Sequence, residues 1–346
     1  MQARPDSAAL AGSSAQLAHL IATGGKPEPN IDPLDRVALS ELARVAELHV
    51  AKVTGLDPTS SGAPAAVEPV TRSQWAATAV TACRPLTDRI AERLRADEPD
   101  DESNDPAAVM NFLMRTLNPT LVSVCGGAMA GQLSQTAFGD CDLPVARTAD
   151  AIGVVTANVA DFAQQWSLEP DDVRLWVCIR ELALHSVFAV DHVRAAVDEL
   201  IEAYVDGFRL DPAAAQRQLA EQLESTVSSI DGPLDPSAIQ QQAKLVFGNP
   251  EVLLGTSRTA GQEALAERLE SRLGLIAAYV DHVLAAAGSG LIAGYDSLTE
   301  ALRRRRTADT PGERYANRLL GVGVGGAAER ASAEFVAGVL DRAGDR

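Results

Sequence analysis

Two residues with metal-binding or acid–base chemistry stand four positions apart on one predicted helix. They are Glu181 and His185, in the segment RELALH at residues 180–185. In the zinc-binding pattern His-Glu-x-x-His, two imidazoles on one helix face grip the metal while the glutamate polarises its water. Here Arg180 occupies the first position of that pattern and Leu184 the fifth. Neither side chain offers a lone pair to a metal, so the standard site cannot form.

The glutamate and the histidine each have two interpretations. Glu181 is either a vestigial general base or a helix carboxylate paired with Arg180. The ion pair is favoured, because a general base acts on a metal-bound water or on a nucleophile, and neither is indicated here. A buried Arg180–Glu181 interaction would place a cation at the zinc position. Alternatively, Glu181, His185 and His282 form a non-standard zinc site, although a single helix histidine is more commonly a hydrogen-bonded core residue.

The elements that position these residues are predicted to be helices. Apolar residues make up 46% of the chain but aromatic residues only 4%, which favours close-packed helices over sheets. Helix starts are predicted at Asp32-Pro33, near Arg72, near Pro106 and at Pro170. Asp191 is predicted to cap a further helix, and Ser297 with Glu300 is predicted to form a capping box. No hairpin and no alternating strand series is found. The sequence therefore predicts an all-α, multi-helix fold.

The organisation along the chain predicts one main domain. Residues 1–30 mix Gly, Ser, Pro and Ala without a sustained period, which predicts a disordered, flexible tail. Residues 31–346 form the single helical domain, with a Pro/Gly/Ser-rich linker over 55–70 as the place for a subdomain break.

Charge and cysteine content narrow the function classes. Lys and Arg number 30 against 47 Asp and Glu, a formal charge of −17, which disfavours binding to nucleic acid or to an anionic membrane surface. The four cysteines lie far apart without a CxxC pair, as is typical of reduced thiols. No signal peptide and no long apolar run is indicated. We therefore expect a cytoplasmic protein.

Three further motifs have simple structural interpretations. The small residues at 126–131 predict close helix packing rather than a phosphate loop, because no P-loop Lys-Ser/Thr follows. The GxGxxG string at 321–326 follows a helix instead of a strand, so it predicts a helix–helix joint. The arginine run at 303–306 predicts a solvated or salt-bridged helix face.

Longer stretches carry a family resemblance. They are TRSQWAATAV…RPLTDRIAERL, GGAMAGQLSQTAFG…DLP, TANVADFA, DVRLWVCIRELALHSVFAVDHVRAAVDELIEAYVDGF, YVDHV and ALRRRR. With these stretches the chain from about residue 30 to its end resembles the actinobacterial zincin-like metallopeptidase family, whose members are often labelled hydrolases or zinc-dependent metalloproteases. The resemblance implies a zincin-like helical bundle around a degenerate HExxH helix.

The resemblance also implies which residues have diverged. Intact members have HExxHH on this helix and a glutamate on a later helix, so the degenerate ligand positions are Arg180, Leu184 and Ala277. We therefore expect no cofactor and an inactive pseudo-metallopeptidase that serves as a binding, scaffold or regulatory protein. A protein or peptide partner would bind at the former active-site cleft, or copies of the chain would form a homo-oligomer. The alternative is an active hydrolase that uses zinc on Glu181, His185 and His282.

Overall fold

The computed structural model describes residues 7–56, 65–95, 106–147, 151–209, 256–306, 310–323 and 326–343. Helices account for most of these residues, which confirms the all-α prediction. The first seven are α1 Ser7–Thr23, α2 Pro33–Thr54, α3 Arg72–Arg93, α4 Pro106–Ser134, α5 Thr156–Trp166, α6 Pro170–Phe188 and α7 Asp191–Asp206. The last four are α8 Ala260–Gly288, α9 Tyr295–Arg305, α10 Pro311–Leu320 and α11 Gly326–Ala343.

Helix α6 lies at the centre of this arrangement. Nearly every residue from Val173 to Val187 is buried, and α2, α5 and α8 pack against this helix. Burial on all sides explains why its sequence is apolar around the whole circumference rather than along one stripe. Across the described ranges, none of the helices has the length and apolar character needed to cross a bilayer.

Two short strands were not predicted. β1 (Val67–Val70) pairs in parallel with β2 (Ile152–Val155), with Val67 opposite Ile152 and Val70 opposite Val155. β1 lies within the segment predicted as a linker at 55–70. All four residues of β2 are buried, so the run shows no alternation, and a four-residue apolar run cannot be distinguished from a helix segment by its pattern.

The N-terminal region also differs from the prediction of a flexible tail over residues 1–30. Residues 7–23 form α1, which packs on α4 and α3. The contact depends on the small residues of α4, because a Cβ added at Gly127 would lie 2.5 Å from the carbonyl oxygen of Ser14. The packing role predicted for the small residues at 126–131 is therefore confirmed. Residues 1–6 lie outside the described residues.

Helix capping explains most of the observed boundaries. Asp32 caps α2 as predicted, accepting a hydrogen bond from the backbone N–H of Leu34. Capping boxes that the sequence analysis overlooked begin α3, α8 and α10, at Thr71, Thr259 and Thr310. Two predicted caps are wrong. The cap of α7 is Val190, and Asp191 is the first helical residue, while α9 begins at Tyr295, before the predicted Ser297 box.

Candidate functional site

The candidate site is built around Glu181 in the middle of α6. Its side chain is fully buried, and both carboxylate oxygens have partners. Oε1 accepts a hydrogen bond from Nη1 of Arg180 at 2.6 Å, and Oε2 accepts one from the backbone N–H of Cys141 at 2.9 Å. The predicted Arg180–Glu181 interaction is therefore present, together with a loop contact that the sequence did not indicate.

Arg180 links α6 to the turn that follows α4. Its Nη2 lies 2.7 Å from Oδ1 of Asp142, at the end of a single 3₁₀ turn, Asp140–Asp142. The other oxygen of Asp142 accepts hydrogen bonds from the backbone N–H groups of Phe138 and Gly139. One guanidinium thus binds two carboxylates from two different elements, a geometry that suits the planar arginine fork.

Two further arginines complete the cluster. Nη1 of Arg147 lies 2.7 Å from Oδ1 of Asp140, and the same guanidinium stacks over the ring of Trp75 at 5.3 Å. Arg305, from α9, lies 3.6 Å above the centre of the Phe138 ring. We call these six charged side chains the ion-pair centre: Asp140, Asp142, Glu181, Arg147, Arg180 and Arg305. Three acids face three bases, so the centre is close to neutral when all are ionised.

The loop of the ion-pair centre lies directly on Glu181. A Cβ built on Gly139 would lie 2.8 Å from Cγ of Glu181 and closer still to its carboxyl carbon. Nε1 of Trp75 donates a hydrogen bond to the carbonyl oxygen of Gly139 at 3.0 Å, which fixes the loop from the α3 side. The lack of a side chain at Gly139 is therefore what lets the loop cover the carboxylate.

Burial and neighbouring charge shift the pKa values of the centre in opposite directions. Burial raises the pKa of Glu181 to about 7, although Arg180 opposes the rise. Burial likewise raises the pKa of Asp140 against the charge of Arg147. For Asp142 burial also acts upward, but Arg180 and Arg305 together lower its pKa below the ordinary value. The carboxyl group of Glu181 thus titrates near neutral pH.

We expect Glu181 to make stability depend on pH. Its pKa rises from 4.5 in the unfolded chain to about 7 in the folded protein. Its stabilising contribution is therefore complete below pH 4.5 and is lost as pH rises through 7. Between pH 5 and 8 the protein should lose about 1–3 kcal/mol of unfolding free energy relative to Glu181→Gln. Urea unfolding of both proteins at several pH values measures this difference.

The same comparison separates Glu181 from its neighbours. Asp140 is present in both proteins, so the part of its contribution that does not depend on Glu181 cancels in the difference. Asp142 has a lowered pKa, so its stabilising contribution is present above pH 3.8 and is lost only on stronger acidification. A stability difference between the two proteins that stays constant from pH 5 to 8 would contradict the assignment.

The ligand positions implied by the resemblance hold no metal donors. Leu184 is buried in α6, and Ala277 is half-buried on α8, which packs against α6. His185 and His282 are half-buried. Within the described ranges no three His, Cys, Asp or Glu side chains are grouped as a metal ion would require, so Glu181, His185 and His282 are not assembled as a zinc site. The residues at these positions do not fit zinc.

Comparison with known proteins identifies the fold family. The sequence profile described as "Zincin-like metallopeptidase" matches residues 11–346. The chain belongs to this family. Among proteins with curated descriptions, none matches this zincin-like chain. Its fold resembles a crystal structure from Chloroflexus aurantiacus described as "a putative hydrolase with a novel fold", with a TM-score of 0.63 and 18% identity over 96% of this chain and 87% of the other.

Most residues of the ion-pair centre were not predicted from the sequence. In this zincin-like protein Asp140, Asp142 and Arg147 come from a loop 34–41 residues before Glu181, which no local pattern connects to that glutamate. Arg305 belongs to the arginine run, for which a salt-bridged face was predicted. That prediction is confirmed for its neighbours, since Arg303 and Arg304 pair with Glu300. The GxGxxG string begins at the cap of α10, Gly321, and residues 324–325 lie outside the described residues.

Proposed function

We propose that this member of the family is a pseudo-metallopeptidase, which keeps the fold and binds a partner without cleaving it. The supporting observation is the position of Arg180. Its guanidinium lies between Glu181 and Asp142, at 2.6 and 2.7 Å, where the resemblance implies the first zinc ligand. A permanently protonated side chain there repels a metal cation and occupies the carboxylate that would serve it.

The burial and the hydrogen bonds of Glu181 also support the loss of catalysis. A general base must reach the water or proton on which it acts, within about 3 Å. Glu181 has no exposed surface, and its two oxygens already accept hydrogen bonds from Arg180 and from Cys141. In this arrangement the carboxylate anchors the loop to α6, a structural task that replaces the chemical one.

The partner would contact the outer rim of the centre. The side chains of Arg180 and Asp142 are each about one-fifth exposed, at 19% and 20%. They present a fixed, paired charge to a protein or peptide, whereas the interior is closed by the Gly139 loop. A separate surface depression, lined by Pro85, Arg89 and Arg93 among others, lies on the C-terminal half of α3, away from the end of α3 that contacts the loop.

We also propose that the protein acts in the cytoplasm and needs no cofactor. The four cysteines are free thiols, and Cys83, Cys125 and Cys178 are buried. Burial raises the pKa of each of these three thiols to about 12. They are therefore inert at neutral pH, as expected for apolar core residues of a protein in a reducing compartment.

Metal content provides the first test. Untagged protein, purified without chelator and dialysed against micromolar zinc, should retain less than about a tenth of an equivalent, because three ligand positions lack donors. The measurement is elemental analysis after gel filtration. Retention near one equivalent, lost in a His185→Ala variant, would contradict the proposal and support the non-standard zinc site.

A gain-of-ligand variant controls for the assay. Combining Arg180→His, Leu184→His and Ala277→Glu restores donors at all three positions implied by the resemblance. The variant should retain at least several times more zinc than the natural chain under the same dialysis. The natural chain should also leave unstructured peptide substrates uncut. Peptide cleavage that persists after chelation and purification to homogeneity would overturn the proposal, because it would show catalysis that needs no metal.

A further inference from the structure

Helix α2 carries an apolar stripe on the face opposite the core. One face is buried against the body of the protein, where α2 contacts α6, α8 and β1. The opposite face exposes large side chains: Leu34 at 74%, Val37 at 56%, Val45 at 40% and Leu48 at 73%. Their spacing of three to four residues or its multiples aligns them along one side of the helix.

Charged residues divide the stripe into two halves of opposite sign. Glu41 lies in the N-terminal half, and Arg44 and Lys52 lie in the C-terminal half. All three are exposed on the side of the helix that carries the stripe. At the middle of the stripe the acidic Glu41 is followed by the basic Arg44, so reversing the direction exchanges these two charges, and the stripe is complementary there to its own antiparallel copy.

A two-fold axis between Glu41 and Arg44 satisfies this charge pair and its symmetric copy together. In an antiparallel α2–α2 contact, Glu41 faces Arg44 of the second copy, and the reverse pair follows by symmetry. The same register places Val37 opposite Leu48 of the second copy. A parallel contact would instead place like charges opposite one another.

The size of the stripe fits a weak, reversible interface. The four exposed apolar side chains amount to roughly 400 Å² per copy, within the range of the largest patch on an ordinary monomer. Two copies would bury roughly 800 Å² of apolar surface plus the charged rim, at the low end for specific contacts. We therefore expect association at tens of micromolar chain rather than a permanent dimer.

From the complementary charges and the exposed side chains we propose that a second copy of this chain occupies the α2 stripe, forming a symmetric antiparallel dimer. The proposal is independent of the pseudo-metallopeptidase function, because α2 contributes no residue to the ion-pair centre. Sedimentation velocity at low salt, from about 2 to 200 µM, should show the weight-average mass rising toward twice the monomer mass. A monomer at every concentration would overturn the proposal and leave the stripe to another occupant.

A pair of matched variants locates the interface. Leu48→Glu on the stripe should keep the protein monomeric across the whole concentration range. Phe335→Glu, at an exposed position on α11 (58%), should leave the concentration dependence unchanged. Thermal melts of both variants confirm that they fold. Loss of the dimer in Phe335→Glu, or its survival in Leu48→Glu, would overturn the α2 assignment.

Charge exchange tests the antiparallel register. Glu41→Arg and Arg44→Glu should each weaken self-association at least tenfold, because each single change creates two like-charge contacts across the axis. The double variant restores both pairs and should recover self-association. The two single variants, when mixed, should form a heterodimer in which every pair is complementary. Failure of both the double variant and the mixture to associate would overturn this register.

Discussion

Replacing Arg180 with alanine should lower the melting temperature by about 3–6 °C, corresponding to a loss of about 2–4 kcal/mol. The change removes one cation and leaves two carboxylates, Asp142 and the fully buried Glu181, without it. The pKa of Glu181, about 7 in the natural chain, would rise further without the cation, so the carboxyl group would be protonated at neutral pH. The loop would also lose its ion pair with α6, between Asp142 and Arg180. Differential scanning calorimetry of the variant and the natural chain measures the shift.

A surface arginine provides the control for Arg180. Arg303 makes an ion pair with Glu300 at 2.9 Å, but its side chain is 74% exposed. Arg303→Ala should therefore change the unfolding free energy by less than about 0.5 kcal/mol. A melt of Arg180→Ala that matched the Arg303→Ala melt would show that the ion-pair centre does not hold the fold together.

Gly139→Ala should destabilise the fold about as much as Arg180→Ala, by about 2–4 kcal/mol of unfolding free energy. The backbone of Gly139 is extended, with φ −158°, so alanine brings no conformational strain. The loss comes instead from the added methyl group, which would overlap the carboxyl end of Glu181. The loop must then move away, breaking the hydrogen bonds from Cys141 and Trp75. Urea unfolding of the variant gives the loss.

Two comparisons make the Gly139 result specific. Gly290→Ala adds a methyl group where nothing lies within 4 Å, and should be nearly neutral. In a Glu181→Ala background the overlap is gone, so adding Gly139→Ala should cost less than about 1 kcal/mol more. Equal costs of Gly139→Ala in both backgrounds would mean that the loop does not rest on Glu181.

The sequence predicted the helical part of this fold well because helix signals are local. The Asp32 cap and the starts at Arg72, Pro106 and Pro170 are each set by residues within one turn. The strands failed for the opposite reason. Val67 pairs with Ile152, and nothing near either residue specifies the other. The Gly- and Ser-containing sequence of α1 suggested a tail because its stability comes from contact with α4, not from its own helix propensity.

The residues of the candidate site likewise differ in how well the sequence predicts their contacts. Arg180 and Glu181 are neighbours, so their pairing could be inferred from chemistry alone. Asp142 and Arg305 reach the centre from loops and helices far away in the chain, and sequence distance hides such partners. The role of Gly139 was also hidden, because a glycine needed for close packing against Glu181 looks like any other loop glycine until the neighbour is known.

The contact between α1 and α4 has a consequence for the newly made chain. Ser14 meets Gly127 across more than 100 residues of sequence. At a synthesis rate of about 5–20 residues per second, α1 leaves the ribosome about 5–20 s before the surface that receives it. Its apolar side stays open to water during that interval. Helix α1 is thus made well before it can dock on α4, and chaperones have an opportunity to bind it during that interval.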